Sequence, residues 1–211
     1  MTAGTCPLPS PGGIALLERG LLLCGFRKGA RVADVGCGSG EAVDYIGSVL
    51  GLDAAGVDID DAAIAEARRH GRNCFKADAA VLPFASGEFD GVIFQCSFSQ
   101  MERPDEVMRE TARVLKAGGK TLILDFFAGE REGKFSGIMG RVEFKKKIYA
   151  RLEKAGLRLI HFEDCTRELR EYWGQLIFDY GAEELEKIIG DCGAVVAAKC
   201  RYGLFIAEKG E

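Results

Sequence analysis

Asp34-Val35-Gly36-Cys37-Gly38-Ser39-Gly40 follows a short apolar run and precedes a helical pattern. Three alternating glycines strip a turn of side chains, so a ligand with a polar tail can lie almost against backbone. Exposed N–H groups at a helix start can then meet a carboxylate or a phosphate. A dinucleotide fingerprint needs a small residue three positions after its second glycine. Glu41 stands there, and its charge would face a pyrophosphate, so the G-x-G-x-G spacing argues against a dinucleotide. Asp58 lies 18 residues after Gly40, at the end of the next apolar run. A carboxylate there can accept both hydroxyls of a ribose, as in nucleoside sites of doubly wound sheets. Asp78, followed by Ala79, can accept an adenine amino proton, and Ile59 can cover the adenine face.

Other residues capable of chemistry read more plainly. Eight cysteines stand at 6, 24, 37, 74, 96, 165, 192 and 200, with no C-x-x-C pair and only two histidines. That pattern argues against a metal site and against a disulfide framework. Most read as small apolar core residues in a reducing cytoplasm, Cys37 among them. Cys96 as a reactive thiolate, Trp173 or Tyr172 at a substrate pocket, and His161 as a base stay open as alternatives to packing. The run Lys145–Lys147 reads as a solvated helix face.

Elements must position these groups. Short apolar runs alternate with helical patterns over residues 30–125, which argues for βαβ units and a parallel sheet. Strands are expected at 31–35, 54–59, 73–77, 90–96, 120–126, 157–162 and 202–208. Asp60 or Asp61 can cap a helix after the second strand. Pro104, Asp105 and Glu106 suit the first turn of a helix that Gly118 and Gly119 stop. Residues 128–140 read as a polar loop. A long helix carries Leu169, Tyr172, Trp173, Leu176, Ile177 and Tyr180 on one face. The chain has 211 residues, 47% hydrophobic and 28% charged, with net charge −4. That composition fits one soluble domain over 1–211 and gives no basic footprint for nucleic acid. No signal peptide or membrane anchor is read in it.

DVGCGSG, GVDID, KADAAVLPFASGEFDGVIF and RVLKAGGKTLIL, in that order over residues 30–126, resemble the ordered motifs of class I S-adenosylmethionine-dependent methyltransferases. The segment PSPGGIALLERGL is similar to one in a bacterial methyltransferase subgroup. The general layout resembles quinone-biosynthesis C-methyltransferases. The resemblance implies an α/β, Rossmann-like, doubly wound and mostly parallel seven-stranded sheet with helices on both faces. It implies S-adenosylmethionine as cofactor and S-adenosylhomocysteine as product. Asp34 and the turn Gly36, Cys37, Gly38 and Gly40 are expected to hold the methionine moiety, Asp58 the ribose, and Asp78 with Ala79 the adenine. Gln95, Cys96 and Ser97 end the fourth strand, under the sulfonium in that family, and no metal is expected.

The expected acceptor is a small molecule, handled by a cytoplasmic monomer or homodimer. No Asn-Pro-Pro-Tyr type segment follows the fourth strand, which weakens an amino-methylating nucleic-acid enzyme. A non-catalytic S-adenosylmethionine-binding regulatory or assembly protein and an arsenic-type methyltransferase are the alternatives. About 40 residues separate LRLIHF from YGLFIAE, where the family places a short hairpin. Residues 163–200, with the N-terminal segment 1–29 and the loop 128–140, are expected to cover the substrate.

Overall fold

Strands buried on both faces and amphipathic helices alternate along the chain, as the pattern requires of a parallel sheet. The computed structural model describes residues 10–181, 183 and 192–210. After α1 (Gly13–Cys24), the elements run β1 (Arg31–Val35), α2 (Glu41–Ser48), β2 (Asp53–Asp58), α3 (Asp61–Arg69), β3 (Cys74–Lys76) and β4 (Phe89–Gln95). Then come α4 (Pro104–Val114), β5 (Leu115–Phe127), β6 (Gly133–Lys134), β7 (Arg141–Val142) and α5 (Lys145–Lys154). The described elements close with β8 (Leu157–Asp164), α6 (Thr166–Tyr180), α7 (Cys192–Ala198) and β9 (Arg201–Lys209).

The main sheet has seven strands in the order β3-β2-β1-β4-β5-β9-β8. β1 to β5 pair in parallel, and β9 runs antiparallel between β5 and β8. Strand order reverses between β1 and β4, so the turn after β1 opens at the point where such sheets bind ligands. Successive strand residues serve opposite faces. Ile93 and Leu122 join Leu16, Leu17 and Leu21 of α1 in one core cluster. Val92 and Ile123 join Val107 and Met108 of α4 and Ile148 and Leu152 of α5 in the other.

Local signals fix several ends. Asp60 caps α3, its Oδ1 accepting from Ala62 N–H at 2.7 Å and Ala63 N–H at 3.2 Å. Pro104 opens α4, with Asp105 and Glu106 in its first turn. The helix stops earlier than its glycines suggest. Gly118, with φ +69°, sits within β5 where pairing to β4 jumps from Phe89–Leu115 to Gly91–Lys120.

Three expectations need correction. Residues 128–140 are not a plain loop, because β6 pairs antiparallel with β7 and Met139 is fully buried. The stripe of α6 is narrower than its spacing suggests: Leu169, Tyr172 and Leu176 are buried, whereas Ile177 and Tyr180 are exposed. The insert between β8 and β9 does start and end at the carboxyl edge, since Asp164 faces Gly203 near the start of β9. It is nonetheless part of the core, because Leu169, Leu176, Val195 and Ala198 share the α1 cluster. Residues 1–9, 182 and 184–191 of the expected cover lie outside the described residues.

Candidate active site at the first crossover

The turn after β1 is tied to the end of β2. Gly36 and Cys37 N–H both donate to the Val57 carbonyl, at 2.8 and 3.1 Å. Gly38 N–H donates to Asp58 Oδ2 at 2.8 Å, and Asp60 N–H donates to Asp58 Oδ1 at 2.9 Å. Asp58 thus braces the turn while staying only partly buried. Each carboxylate oxygen keeps a second lone pair for another donor.

The three glycines have different reasons. All have positive φ: +79° at Gly36, +53° at Gly38 and +78° at Gly40. A Cβ on Gly36 would stand 2.4 Å from Ser97 Cβ, and one on Gly40 would stand 2.6 Å from Cys74 Sγ. Packing within the protein therefore excludes side chains at both. A Cβ on Gly38 would meet nothing within 4 Å. Only at Gly38 does the bare backbone face open space.

Asp34, in β1, is 4% exposed, and none of the described residues donates a hydrogen bond to its carboxylate. Burial, reinforced by the charge of Asp58, pushes it up to about 7. A buried carboxylate without a partner is costly, and a cation beside it would remove the cost.

The remaining expected residues divide. Ile59 lies just past β2 and is 67% exposed, free to cover a flat ligand. Asp78 is engaged: its Oδ1 accepts Ala80 N–H at 2.8 Å, and its Oδ2 accepts Arg103 Nη2 at 2.5 Å. Ala79 beside it is buried. Gln95 Nε2 donates to Ser10 Oγ, which ties the N-terminal segment to the end of β4. Cys96 takes a left-handed backbone, φ +52°, rare for a residue with a Cβ, and its Sγ lies 3.1 Å from Tyr202 Oη. Ser97 is a clamp: its hydroxyl donates to the Val35 carbonyl at 2.6 Å and its Cβ backs Gly36.

Arg103, Ser10, Tyr202 and Cys74 were not foreseen at this site. Each arrives from a distant part of the chain, and only Arg103, just before Pro104, stands near a recognisable signal. A cavity of about 240 Å³ adjoins Ser10 and is walled by Gly12, Glu168, Glu171, Tyr172 and Gln175.

Residues 33–123 match the family model described as "Methyltransferase domain". That span runs from β1 into β5 and contains Asp34, the glycine turn, Asp58, Asp78 and the end of β4. The matched stretch is similar to a methyltransferase domain, and the sheet around it has the class I methyltransferase fold. The cofactor of that domain is S-adenosylmethionine.

The domain's relatives differ in chemistry. Phosphoethanolamine N-methyltransferase of Triticum aestivum is 26% identical, over 95% of this chain and 45% of its own length. A ubiquinone/menaquinone biosynthesis C-methyltransferase of Pasteurella multocida is 31% identical, over 48% of this chain and 42% of its own. The chain spans about half the length of the curated relatives it matches. Geranyl diphosphate C-methyltransferase of Streptomyces coelicolor superposes with a TM-score of 0.78 at 17% identity, covering 93% of this chain and 80% of that one. At such identity the likeness concerns the fold, and this chain shares its layered sheet. No helix among the described residues is long and apolar enough to cross a membrane.

Proposed function

We propose that this protein transfers a methyl group from S-adenosylmethionine to a small molecule. The observation that carries the reading is Asp34, a buried carboxylate that no described residue donates to, beside backbone left open at Gly38. The α-amino group of the cofactor is a cation that would pair with Asp34, and the N–H groups of the Gly36–Gly40 turn would approach its amino-acid end. Asp58 has lone pairs left for the ribose hydroxyls. Ile59 and Ala79 would flank the adenine, and Asp78 would accept its amino proton once shared with Arg103.

S-adenosylmethionine supplies a methyl group already activated on a sulfonium. The chain's own work is to align and to exclude water, and orientation of that kind contributes about 7–11 kcal/mol. Gln95 and Cys96, at the carboxyl end of β4, would line the methyl. Ser97 is spent on Val35 and serves the turn instead. A base is needed only where the acceptor atom holds a proton of high pKa. The cavity beside Ser10, mostly apolar in its surface and edged by Glu168, Glu171 and Gln175, supports an acceptor of modest size entering between α1 and α6, in a single domain with its cover built into the core. A cytoplasmic setting, as a monomer or homodimer, fits this reading. Incubation with methyl-labelled S-adenosylmethionine and a metabolite panel tests it. Label carried to one small-molecule class is the expected result, and binding without transfer to any acceptor would refute the enzyme.

A further inference from the structure

Two sulfurs meet beneath the glycine turn. Cys37 lies within the turn and Cys74 opens β3, yet both reach one point beside β2. A Cβ on Gly56 would stand 2.6 Å from Cys37 Sγ and 2.8 Å from Cys74 Sγ. Gly56 and Gly40 leave the room that the two sulfurs fill. Backbone holds each cysteine there: Cys37 N–H donates to Val57, and Gly56 N–H donates to Asn73, the neighbour of Cys74, at 2.8 Å. Both are free thiols, with Cys74 buried and Cys37 partly exposed. The Cys37 thiol donates to the Gly38 carbonyl at 3.6 Å, and the closeness of the two sulfurs pushes Cys37 up and Cys74 down. Arg72, whose guanidinium donates to the Ser39 carbonyl at 2.8 Å, also lowers Cys74. Burial instead pushes Cys24 and Cys165 up to about 12 and Cys200 up to about 11. Thiolate character, the determinant of thiol reactivity, thus falls at Cys74 and not at those three.

We propose that Cys37 and Cys74 are a redox-sensitive thiol pair, and that joining them as a disulfide loosens the turn's hold on its ligand. The second half rests on the turn being the S-adenosylmethionine site. With hydrogen peroxide as the oxidant, the Cys74 sulfur attacks one peroxide oxygen. An S–O bond forms, the O–O bond breaks and hydroxide leaves. The Cys37 sulfur then attacks the Cys74 sulfur, so that an S–S bond forms, the S–O bond breaks and a second hydroxide leaves. The two thiol protons convert both hydroxides to water; the sulfurs lose two electrons and the peroxide gains them. An S–S bond of about 2.05 Å is shorter than any hydrogen-bonded contact between sulfurs, so Cys37 is drawn toward β3. Gly38, next in the chain, moves relative to Asp34 and Asp58.

Peroxide treatment of the reduced full chain, followed by peptide mass mapping and calorimetry with S-adenosylhomocysteine, tests the proposal. The expected result is a peptide pair joined through Cys37 and Cys74. Affinity should fall by about tenfold or more, return with dithiothreitol, and not fall in Cys74→Ala. Peroxide that leaves the two thiols unjoined overturns the pairing. A joined pair with unchanged affinity overturns the switch. If the reduced chain binds no S-adenosylhomocysteine, the reading of the turn fails, while the peptide map still decides the thiol pair.

Discussion

Asp34 sits where burial and function conflict. Its carboxylate is pushed up to about 7 while its unfolded value is near 3.8. Between those values the folded chain binds more protons than the unfolded one, so stability falls as pH rises. The contribution is fully present below about 4 and is lost as pH passes about 7. Asp125, fully buried and pushed up to about 6 by burial, acts in the same sense. Asp34→Asn should therefore stabilise the ligand-free protein by about 1–3 kcal/mol at pH 8, with little effect at pH 5, while the slope from Asp125 remains. Urea unfolding at the two pH values checks it, and equal stability at pH 8 would mean that the carboxylate is already satisfied.

At the scale of elements, the glycine turn separates fold from ligand. Gly36→Ala and Gly38→Ala both meet a positive φ, which costs about 1–2 kcal/mol. Only Gly36→Ala adds a clash, with Ser97 Cβ at 2.4 Å. Thermal melts should show Gly36→Ala as the more damaging, and binding assays should show Gly38→Ala folded but weakened toward the cofactor. Asp60→Ala loses the α3 cap and about 1 kcal/mol without moving affinity; a loss of affinity there would place Asp60 in the site. Legibility follows the same division. Asp60, Pro104 and the buried runs of β1, β4 and β5 act locally, so their spacing announces them. Cys96 and Tyr202 meet across 106 residues, and Arg103 reaches back 25 to Asp78. No local pattern encodes such meetings, because they depend on which strands become neighbours. The spacing treats the three glycines alike, yet only Gly38 faces open space, whereas Gly36 and Gly40 are bare because side chains of this protein fill the room.

For the whole molecule, the insert between β8 and β9 cannot be removed cleanly. Deleting 163–200 would strip Leu169, Leu176, Val195 and Ala198 from the cluster that also holds α1, so loss of fold is the expected result. The role of the cover is better probed from its polar side. Glu168 lines the cavity beside Ser10 and is only half-buried. Glu168→Ala should raise KM for the acceptor several-fold while leaving cofactor affinity unchanged. Steady-state kinetics on an acceptor found by the label screen decides it, and an unchanged KM would move the acceptor elsewhere.

Asp34 and the open backbone at Gly38 are the proposed seat of an adenosyl amino acid. Calorimetric titration of S-adenosylmethionine into the reduced protein and into Asp34→Asn, with NAD as a second ligand, tests it most directly. Saturable binding to the wild-type chain is expected, with a loss of about 1.5–3 kcal/mol in the variant for a hydrogen bond to a charged group, and no NAD binding. Equal affinity in the two proteins, or binding of NAD in place of S-adenosylmethionine, would contradict it.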